Sequence, residues 1–510
     1  MDADGIAAFL DAVDDIELHS LMILRHGHVI ASGWWEPYGP DRPHLLYSLS
    51  KSFTSTGAGL AIAEGLLDLD ATVLSYFPEL DSCVTDPRSR AMLVRHLLSM
   101  SSGHLADTWP AAPEADRDQP VRGFLRMPPD RDPGTVFAYN QSCTYTLATI
   151  IQRVTGQPLI DYLRPRLFEP IDIDAAAWDE FPPGQALGFT GLYVTTDAIA
   201  RLGELYLRKG QWHGRQVIPG EWVAAATRAH VATSPTATPD WRQGYGFQFW
   251  MSRHGYRGDG AFGQFCLVLP EHDAVVAITA GTENMQGILD AVWEHVLPAF
   301  SARGAAVGGA VAEGATAEGA VAEGADAVLA KRLARLRLRL PAHGAPVRPL
   351  GSAPDAASAP LVPAPVVPAP VVPDQVDLAP VDLAPVVLDP VDLAPAGGVC
   401  AALPSLRRVR VADQSVTLCE DASSLELRLI DGDWHVTDGP VPVAASGGWT
   451  DPGTLAVDVI FLETPHRLSL TCSLGDGTFR ARWHTPPLGG VHSLSRLRSP
   501  GQRGGPAERD

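Results

Sequence analysis

Residues 46–55, which read LYSLSKSFTS, contain the sharpest local pattern in this sequence, a serine three residues before a lysine. On a helix, residues three apart share a face, so the Ser48 hydroxyl and the Lys51 amine can touch. A serine at a helix N-terminus lies at the positive end of the helix dipole, where developing negative charge is stabilised. Burial lowers the pKa of a lysine and allows it to act as a base. The pair therefore has the parts of an activated nucleophile.

The scarcity of lysine supports this interpretation. The chain has 39 basic residues, but only Lys51, Lys209 and Lys331 are lysines. Arginine supplies a positive charge without being able to deprotonate, whereas lysine can lose its proton. A chance occurrence of serine before lysine is the alternative that the motif alone leaves open.

The residues around Ser48 resemble the nucleophile segment of the β-lactamase-related serine hydrolases, which include class C β-lactamases, DD-peptidases and related esterases. Further stretches resemble that family in its own order along the chain: EGLLDLD (64–70), VRHLLSMSSG (94–103), PGTVFAY (133–139) and GLYVTTDAIAR (191–201). Together they cover roughly residues 20 to 300, and their combination is specific although each is weak alone. The resemblance implies a β-lactamase/transpeptidase-like α/β fold, in which an antiparallel sheet is flanked by helices.

The resemblance assigns proton transfer to Tyr139, which occupies the tyrosine position of the family's Tyr-x-Asn motif. We expect a nearby buried ammonium group to lower the pKa of this phenol. The alternative is a core tyrosine packed in an aromatic cluster with Phe137 and Tyr145. Gln141 stands where the family has asparagine, so a hydrogen bond to substrate is possible but its longer side chain changes the positioning.

The family's third motif falls by spacing at Gly258-Asp-Gly260, and the lysine or histidine that usually begins it is absent. Such a residue helps to hold a β-lactam carboxylate, so esterase or peptidase-like activity is favoured over antibiotic hydrolysis. The resemblance implies that the amides of Ser48 and Ala261 form the oxyanion hole, and Gly260 allows close approach of substrate. Gln264 is predicted to reach the pocket rim, and a simple turn residue is the alternative.

Other chemistries are disfavoured. The glycine pattern from 258 to 263 matches a dinucleotide fingerprint, but a strand-like segment follows it where that fold needs a helix. The sequence has no HExxH, P-loop or GxSxG motif. We therefore predict no metal and no organic cofactor.

Composition limits the partners and the location. The net charge of −20 argues against nucleic acid and anionic membranes as partners. The sequence contains no run of 18 apolar residues, so we predict no membrane span. The acidic start of the chain lacks the features of a secretory signal. The six cysteines are scattered, which favours reduced thiols and a cytoplasmic protein.

The chain divides into regions of different composition. Residues 1–300 are expected to form the hydrolase domain, and 301–398 a disordered spacer rich in Pro, Ala and Val, with a possible short helix over 327–340. Alternating apolar and polar residues predict a small antiparallel β domain over 399–498. Residues 499–510 are expected to form a disordered tail.

The expected function is two-step acyl transfer from a small ester or amide substrate, carried out by Ser48, Lys51 and Tyr139. Two rivals remain open at this point. One is a catalytically impaired relative that serves as a binding scaffold, which Gln141 and Gly258 favour. The other gives the β domain a ligand of its own, such as a carbohydrate.

Overall fold

The computed structural model describes most of the chain. The residues described are 2–301, 317–340, 390–430, 432–451, 453–490 and 493–500. The predicted disordered spacer lies outside the described residues over 302–316 and 341–389, and the predicted tail lies outside them beyond residue 500. The described residues form two compact units. The first consists of residues 2–301, 317–338, 462–466 and 498–500, and the second of residues 339–340, 390–430, 432–451, 453–461, 467–490 and 493–497.

The first unit is organised around a six-stranded sheet. Its strands are β1 (Leu18–Arg25), β2 (His28–Trp34), β3 (Trp250–Met251), β4 (Tyr256–Gly260), β5 (Gln264–Leu269) and β6 (Ala274–Ala280). Their order in the sheet is β2-β1-β6-β5-β4-β3, with antiparallel pairing throughout. Strands from both ends of this unit's sequence therefore meet at the centre of the sheet. Strands β1 and β2 form one hairpin, and β5 and β6 form another.

Helices cover both faces of this sheet. The long helices are α1 (Ala3–Ala12), α2 (Ser50–Ala63), α3 (Gln141–Thr155), α4 (Thr196–Leu207) and α5 (Ala317–Leu333). Shorter helices span Pro87–Ala91, Val94–Leu98, Ala112–Ala115, Pro120–Arg126, Leu159–Leu163, Gly220–Ala226, Met285–Ala291 and Leu297–Ser301.

Alternate residues of the strands pack into two separate cores. Met22 and Val275 join the core that contains α2, α3 and α4. Ile23 and Val276 join the core on the opposite face, which contains α1 and the helices after β6. This period of two explains the continuous apolar run of β6, because a strand covered on both faces needs apolar residues at every position.

Two predicted segments differ from the structure at their limits. The helix predicted over 327–340 instead spans Ala317–Leu333, because the Ala- and Glu-rich repeat before it also favours a helix. Strand β7 (Val391–Pro395) lies within the predicted spacer and pairs on both sides. Pro395 is its last residue, where a missing amide donor is tolerated.

The second unit contains a nine-stranded sheet. After β7 its strands are β8 (Arg408–Ala412), β9 (Ser415–Cys419), β10 (Ser424–Arg428), β11 (His435–Thr437), β12 (Val443–Asp451), β13 (Thr454–Phe461), β14 (Arg467–Ser473) and β15 (Thr478–Trp483). The order is β10-β9-β8-β7-β15-β14-β13-β12-β11, and only β7 and β15 pair in parallel. The predicted β domain is thus a sheet with one parallel pair.

Within the described part of the chain, no helix is both long enough and apolar enough to span a bilayer. All six cysteines are unpaired, as the sequence predicted.

Candidate active site

Ser48 lies in a 3-10 turn, Tyr47–Leu49, that leads directly into α2. The sequence predicted a helix from Ser48 onwards, and the structure places the serine just before it. Helix α2 is buried along most of its length, including Lys51, of which only 1% is exposed. The Lys51 Nζ donates hydrogen bonds to Ser48 Oγ at 2.9 Å and to the Phe189 carbonyl at 2.9 Å. The predicted contact between serine and lysine is therefore present.

Burial changes the acid–base behaviour of Lys51. Desolvation is the main effect and lowers the lysine pKa from 10.5 to about 7, although the negative charges of Asp107 and Asp259 act in the opposite direction. An ordinary lysine is almost fully protonated at neutral pH. Here a substantial fraction of Lys51 is an uncharged amine that can accept the proton of Ser48.

Tyr139 adjoins this pair. Lys51 Nζ lies 4.7 Å from the centroid of the Tyr139 ring. Burial raises the pKa of Tyr139, the charge of Asp259 raises it further, and the polar contact with Ser48 acts the other way. The predicted lowering of this pKa is wrong, because the desolvation of a fully buried phenol outweighs its favourable contacts. Tyr139 is therefore present as a neutral phenol.

The aromatic cluster around Tyr139 includes Phe137, as the alternative interpretation expected, but not Tyr145. Phe137 packs against Tyr245 and Trp250 at 5.3 and 5.6 Å between centroids, and Tyr139 shares these partners. Its ring stacks on Trp250 at 5.5 Å between centroids and meets Tyr245 edge-on at 6.1 Å. Tyr145 instead packs against Trp109. The partners of Tyr139 come from a segment about a hundred residues further along the chain, which local sequence patterns cannot reveal.

Strand β4 brings the third motif against the nucleophile turn. A Cβ atom on Gly260 would lie 2.0 Å from the carbonyl oxygen of Leu46. A Cβ atom on Gly258 would lie 2.3 Å from Leu49 Cδ1 and 2.6 Å from Ser52 Oγ. Close packing against backbone therefore demands glycine at 260, whereas at 258 the side-chain ends of Leu49 and Ser52 fill the space that a larger residue would need.

Gln264 does not reach a pocket rim and is fully buried. Its Nε2 donates hydrogen bonds to the carbonyl oxygens of Ala261 at 3.0 Å and Ala280 at 2.8 Å, and its Oε1 accepts from the Ala280 amide at 3.3 Å. This side chain anchors the loop that carries Ala261 to the neighbouring strand β6. The predicted position of Gln264 at the pocket rim is wrong, and the side chain instead supports this loop.

Gln141 begins α3, and its backbone amide donates to Asp107 Oδ1 at 2.9 Å. Its side-chain Oε1 is buried and has no hydrogen-bond partner among the described residues. Its predicted role in holding substrate stays a prediction.

Asn140 is a candidate residue that the sequence analysis missed. Its Oδ1 caps α3 by accepting from the Ser142 amide, and it also accepts from the amide and hydroxyl of Thr108. These three bonds fix the amide orientation, and Nδ2 is left buried without a partner in the described part of the chain. The preference for asparagine at helix N-caps, directly after Tyr139, is the signal that could have indicated it.

The sequence analysis also missed a buried ion pair on strand β4. Arg257 is fully buried, and its Nε donates to Asp259 Oδ2 at 2.9 Å. Its guanidinium group lies 4.5 Å from the centroid of the Trp241 ring. Asp259 follows Gly258 on β4, and its charge acts on both Lys51 and Tyr139. The central residue of Gly-Asp-Gly therefore belongs to the electrostatics of the site.

Comparison with known proteins identifies the family. The model of the Beta-lactamase family matches residues 7–296, so the chain belongs to that family and has a β-lactamase/transpeptidase-like fold. The chain is 29% identical over 282 residues to the 6-aminohexanoate-dimer hydrolase of Paenarthrobacter ureafaciens, covering 50% of this chain and 71% of the relative. It is 29% identical over 166 residues to the lovastatin esterase of Penicillium rubens, covering 28% of this chain and 41% of the esterase.

A solved structure, the putative 6-aminohexanoate-dimer hydrolase from Bacillus anthracis, is similar with a TM-score of 0.49 and 22% identity. The match covers 56% of this chain and 81% of that structure. The family match ends at residue 296, so it does not include the second unit.

Proposed function

We propose that this protein is a serine hydrolase that cleaves an ester or amide through an acyl-enzyme intermediate. The observation that carries the proposal is the 2.9 Å contact between Lys51 Nζ and Ser48 Oγ, made by a buried lysine whose pKa is about 7. Membership of the Beta-lactamase family supports serine-hydrolase activity in general.

In the acylation step, the neutral amine of Lys51 takes the proton of Ser48 while Ser48 Oγ bonds to the carbonyl carbon of the substrate. The negative charge that develops on the carbonyl oxygen is stabilised by the backbone amides of Ser48 and Ala261. The bond to the leaving group then breaks. Tyr139 gives its phenolic proton to the leaving group and recovers one from the Lys51 ammonium.

In the deacylation step, water attacks the acyl carbonyl carbon and transfers a proton through the same groups. The acyl group leaves as an acid and Ser48 Oγ regains its proton. Lys51 and Tyr139 end in their starting states, so the cycle balances without a metal or cofactor.

The substrate class follows from the polar groups of the site and from the relatives. Gly258 carries no cation that would hold a carboxylate beside the scissile bond. The Nδ2 of Asn140 and the Oε1 of Gln141 remain to bond an amide or ester group. Relatives named as a 6-aminohexanoate-dimer hydrolase and a lovastatin esterase support amide and ester substrates.

The test compares the full-length protein with its Ser48→Ala variant on p-nitrophenyl acetate, p-nitrophenyl butyrate, an amino-acid p-nitroanilide and a chromogenic β-lactam. We expect the variant to lose at least about 10³-fold in kcat on every substrate that the wild type cleaves. Ser75→Ala, which changes an exposed serine in another turn, is the matched control and should retain full activity. A Ser48→Ala variant with the wild-type rate would refute the assignment.

A further inference from the structure

The proposed oxyanion hole is flanked by two strained residues. Tyr47, which precedes Ser48, has φ of 47°, and Phe262, which follows Ala261, has φ of 66°. Residues other than glycine seldom adopt this left-handed conformation, and bulky ones do so only where the surroundings hold them. The peptide between Tyr47 and Ser48 carries one of the two oxyanion-binding amides. The backbone at Tyr47 therefore sets the direction of that N–H group.

The side chains of these two residues meet in one cluster of rings. The centroids of Tyr47 and Phe262 are 5.5 Å apart in an edge-to-face arrangement. The ring of His466 completes the cluster at 5.8 Å from Tyr47 and 5.6 Å from Phe262. All three side chains are buried. One histidine thus contacts the neighbours of both oxyanion-binding amides.

A hydrogen bond makes this contact directional. The Tyr47 hydroxyl lies 2.8 Å from His466 Nε2. A buried hydrogen bond between two ring side chains fixes the tyrosine rotamer more firmly than packing alone, because rotation of the ring would break it. A change in the Tyr47 backbone that moved the ring would break this bond as well.

His466 is itself held in place by other bonds. It ends the segment Leu462–His466, which clusters with the first unit. The Leu45 amide donates to the Glu463 carbonyl at 2.8 Å, and the Tyr38 hydroxyl donates to the Thr464 carbonyl at 3.4 Å. The histidine is therefore anchored through its own segment and can act as a fixed support for Tyr47.

We propose that His466 is a positioning residue that holds the amides of Ser48 and Ala261 in the geometry of an oxyanion hole, acting through Tyr47 and Phe262. The inference rests on the proposed hydrolase function. It deepens that function by adding a residue more than four hundred positions from the nucleophile.

The test measures the acylation of Ser48 in full-length variants, with a fluorophosphonate probe and with the burst phase of p-nitrophenyl acetate. His466→Phe keeps a ring but removes the hydrogen bond, and Tyr47→Phe removes the same bond from its other end. We expect each to slow acylation about tenfold with little change in KM, a smaller loss than that of an oxyanion donor itself. The double variant should be no slower than either single one, because both remove one interaction.

Two further variants separate positioning from general stability. His466→Gln keeps a polar atom near the position of Nε2 and should restore most of the acylation rate. Tyr38→Phe removes a hydrogen bond to the same segment without touching the ring cluster, and it should acylate at the wild-type rate. If His466→Phe fails to fold, the comparison of Tyr47→Phe with Tyr38→Phe still decides the question.

The outcomes distinguish this inference from the function on which it rests. Wild-type acylation of Ser48 together with unchanged rates in Tyr47→Phe and His466→Phe would overturn the positioning role and leave the hydrolase intact. Additive losses in the double variant would also overturn it. A wild-type protein that is folded but never acylated at Ser48 would overturn both proposals.

Discussion

The two units of this protein differ in the charged groups that they bury. The first unit buries Lys51, Arg257 and Asp259 close to a serine and a tyrosine. The second unit builds its core from apolar strand residues and largely buries the ion pair of Arg467 with Asp458, while other pairs such as Arg407 with Asp421 lie in solvent. Burying charged groups costs free energy, and such groups are often found at functional sites. The buried lysine beside Ser48 therefore favours the first unit as the place of the proposed chemistry.

The largest difference in stability between the two units is expected when an ion pair is broken in each. Asp259→Asn removes the ion-pair partner of a fully buried arginine, and we expect this loss to lower the free energy of unfolding by about 3 kcal/mol. Asp421→Asn is the matched change in the second unit, and since both members of that pair are exposed we expect no measurable loss. Urea unfolding of the two variants measures the difference. Equal losses would contradict the contrast between the units.

A smaller difference in stability is expected when a glycine in each unit is replaced by alanine. In Gly260→Ala the new methyl group would lie 2.0 Å from a backbone oxygen, so the strand or the turn must move, at a cost of about 1–3 kcal/mol. Since the moving parts carry Ser48 and Ala261, acylation should fall as well. Gly475→Ala in the second unit has open space around it, and its stability should match that of the wild type. Thermal unfolding and acylation rates of both variants test this, and a fully active Gly260→Ala would show that the close approach is not needed.

Local patterns predicted much of the fold and, in the candidate site, the contact between Ser48 and Lys51. Three-residue spacing sufficed for Ser48 and Lys51, because a helical turn determines whether such side chains touch. Alternation sufficed for the strands of the second unit. Val391–Pro395 was missed because its proline content disfavours a strand, and pairing with distant strands overrode that local preference.

The rest depended on burial and on contacts between distant segments. The pKa of Tyr139 could not be predicted in direction, since the extent of its desolvation is set by residues such as Trp250 and Tyr245. Gln264 was placed at a rim because the sequence does not show that Ala280 accepts its hydrogen bond. His466 lies far from Tyr47 along the chain, and nothing in either local segment indicates that the two meet.

The pH dependence of Ser48 acylation tests the central claim most directly, because the mechanism requires Lys51 to lose its proton before it can accept that of Ser48. With a lysine pKa of about 7, the rate of labelling by a fluorophosphonate probe should rise with pH through that value and level off above it. Lys51→Arg keeps the positive charge but cannot deprotonate, so it should label at least about 10²-fold more slowly, with no such transition. Lys209→Arg, an exposed lysine, is the control and should follow the wild-type curve. A wild-type rate that stays constant from about pH 5 to about pH 9, or a transition near the ordinary lysine pKa, would contradict the account.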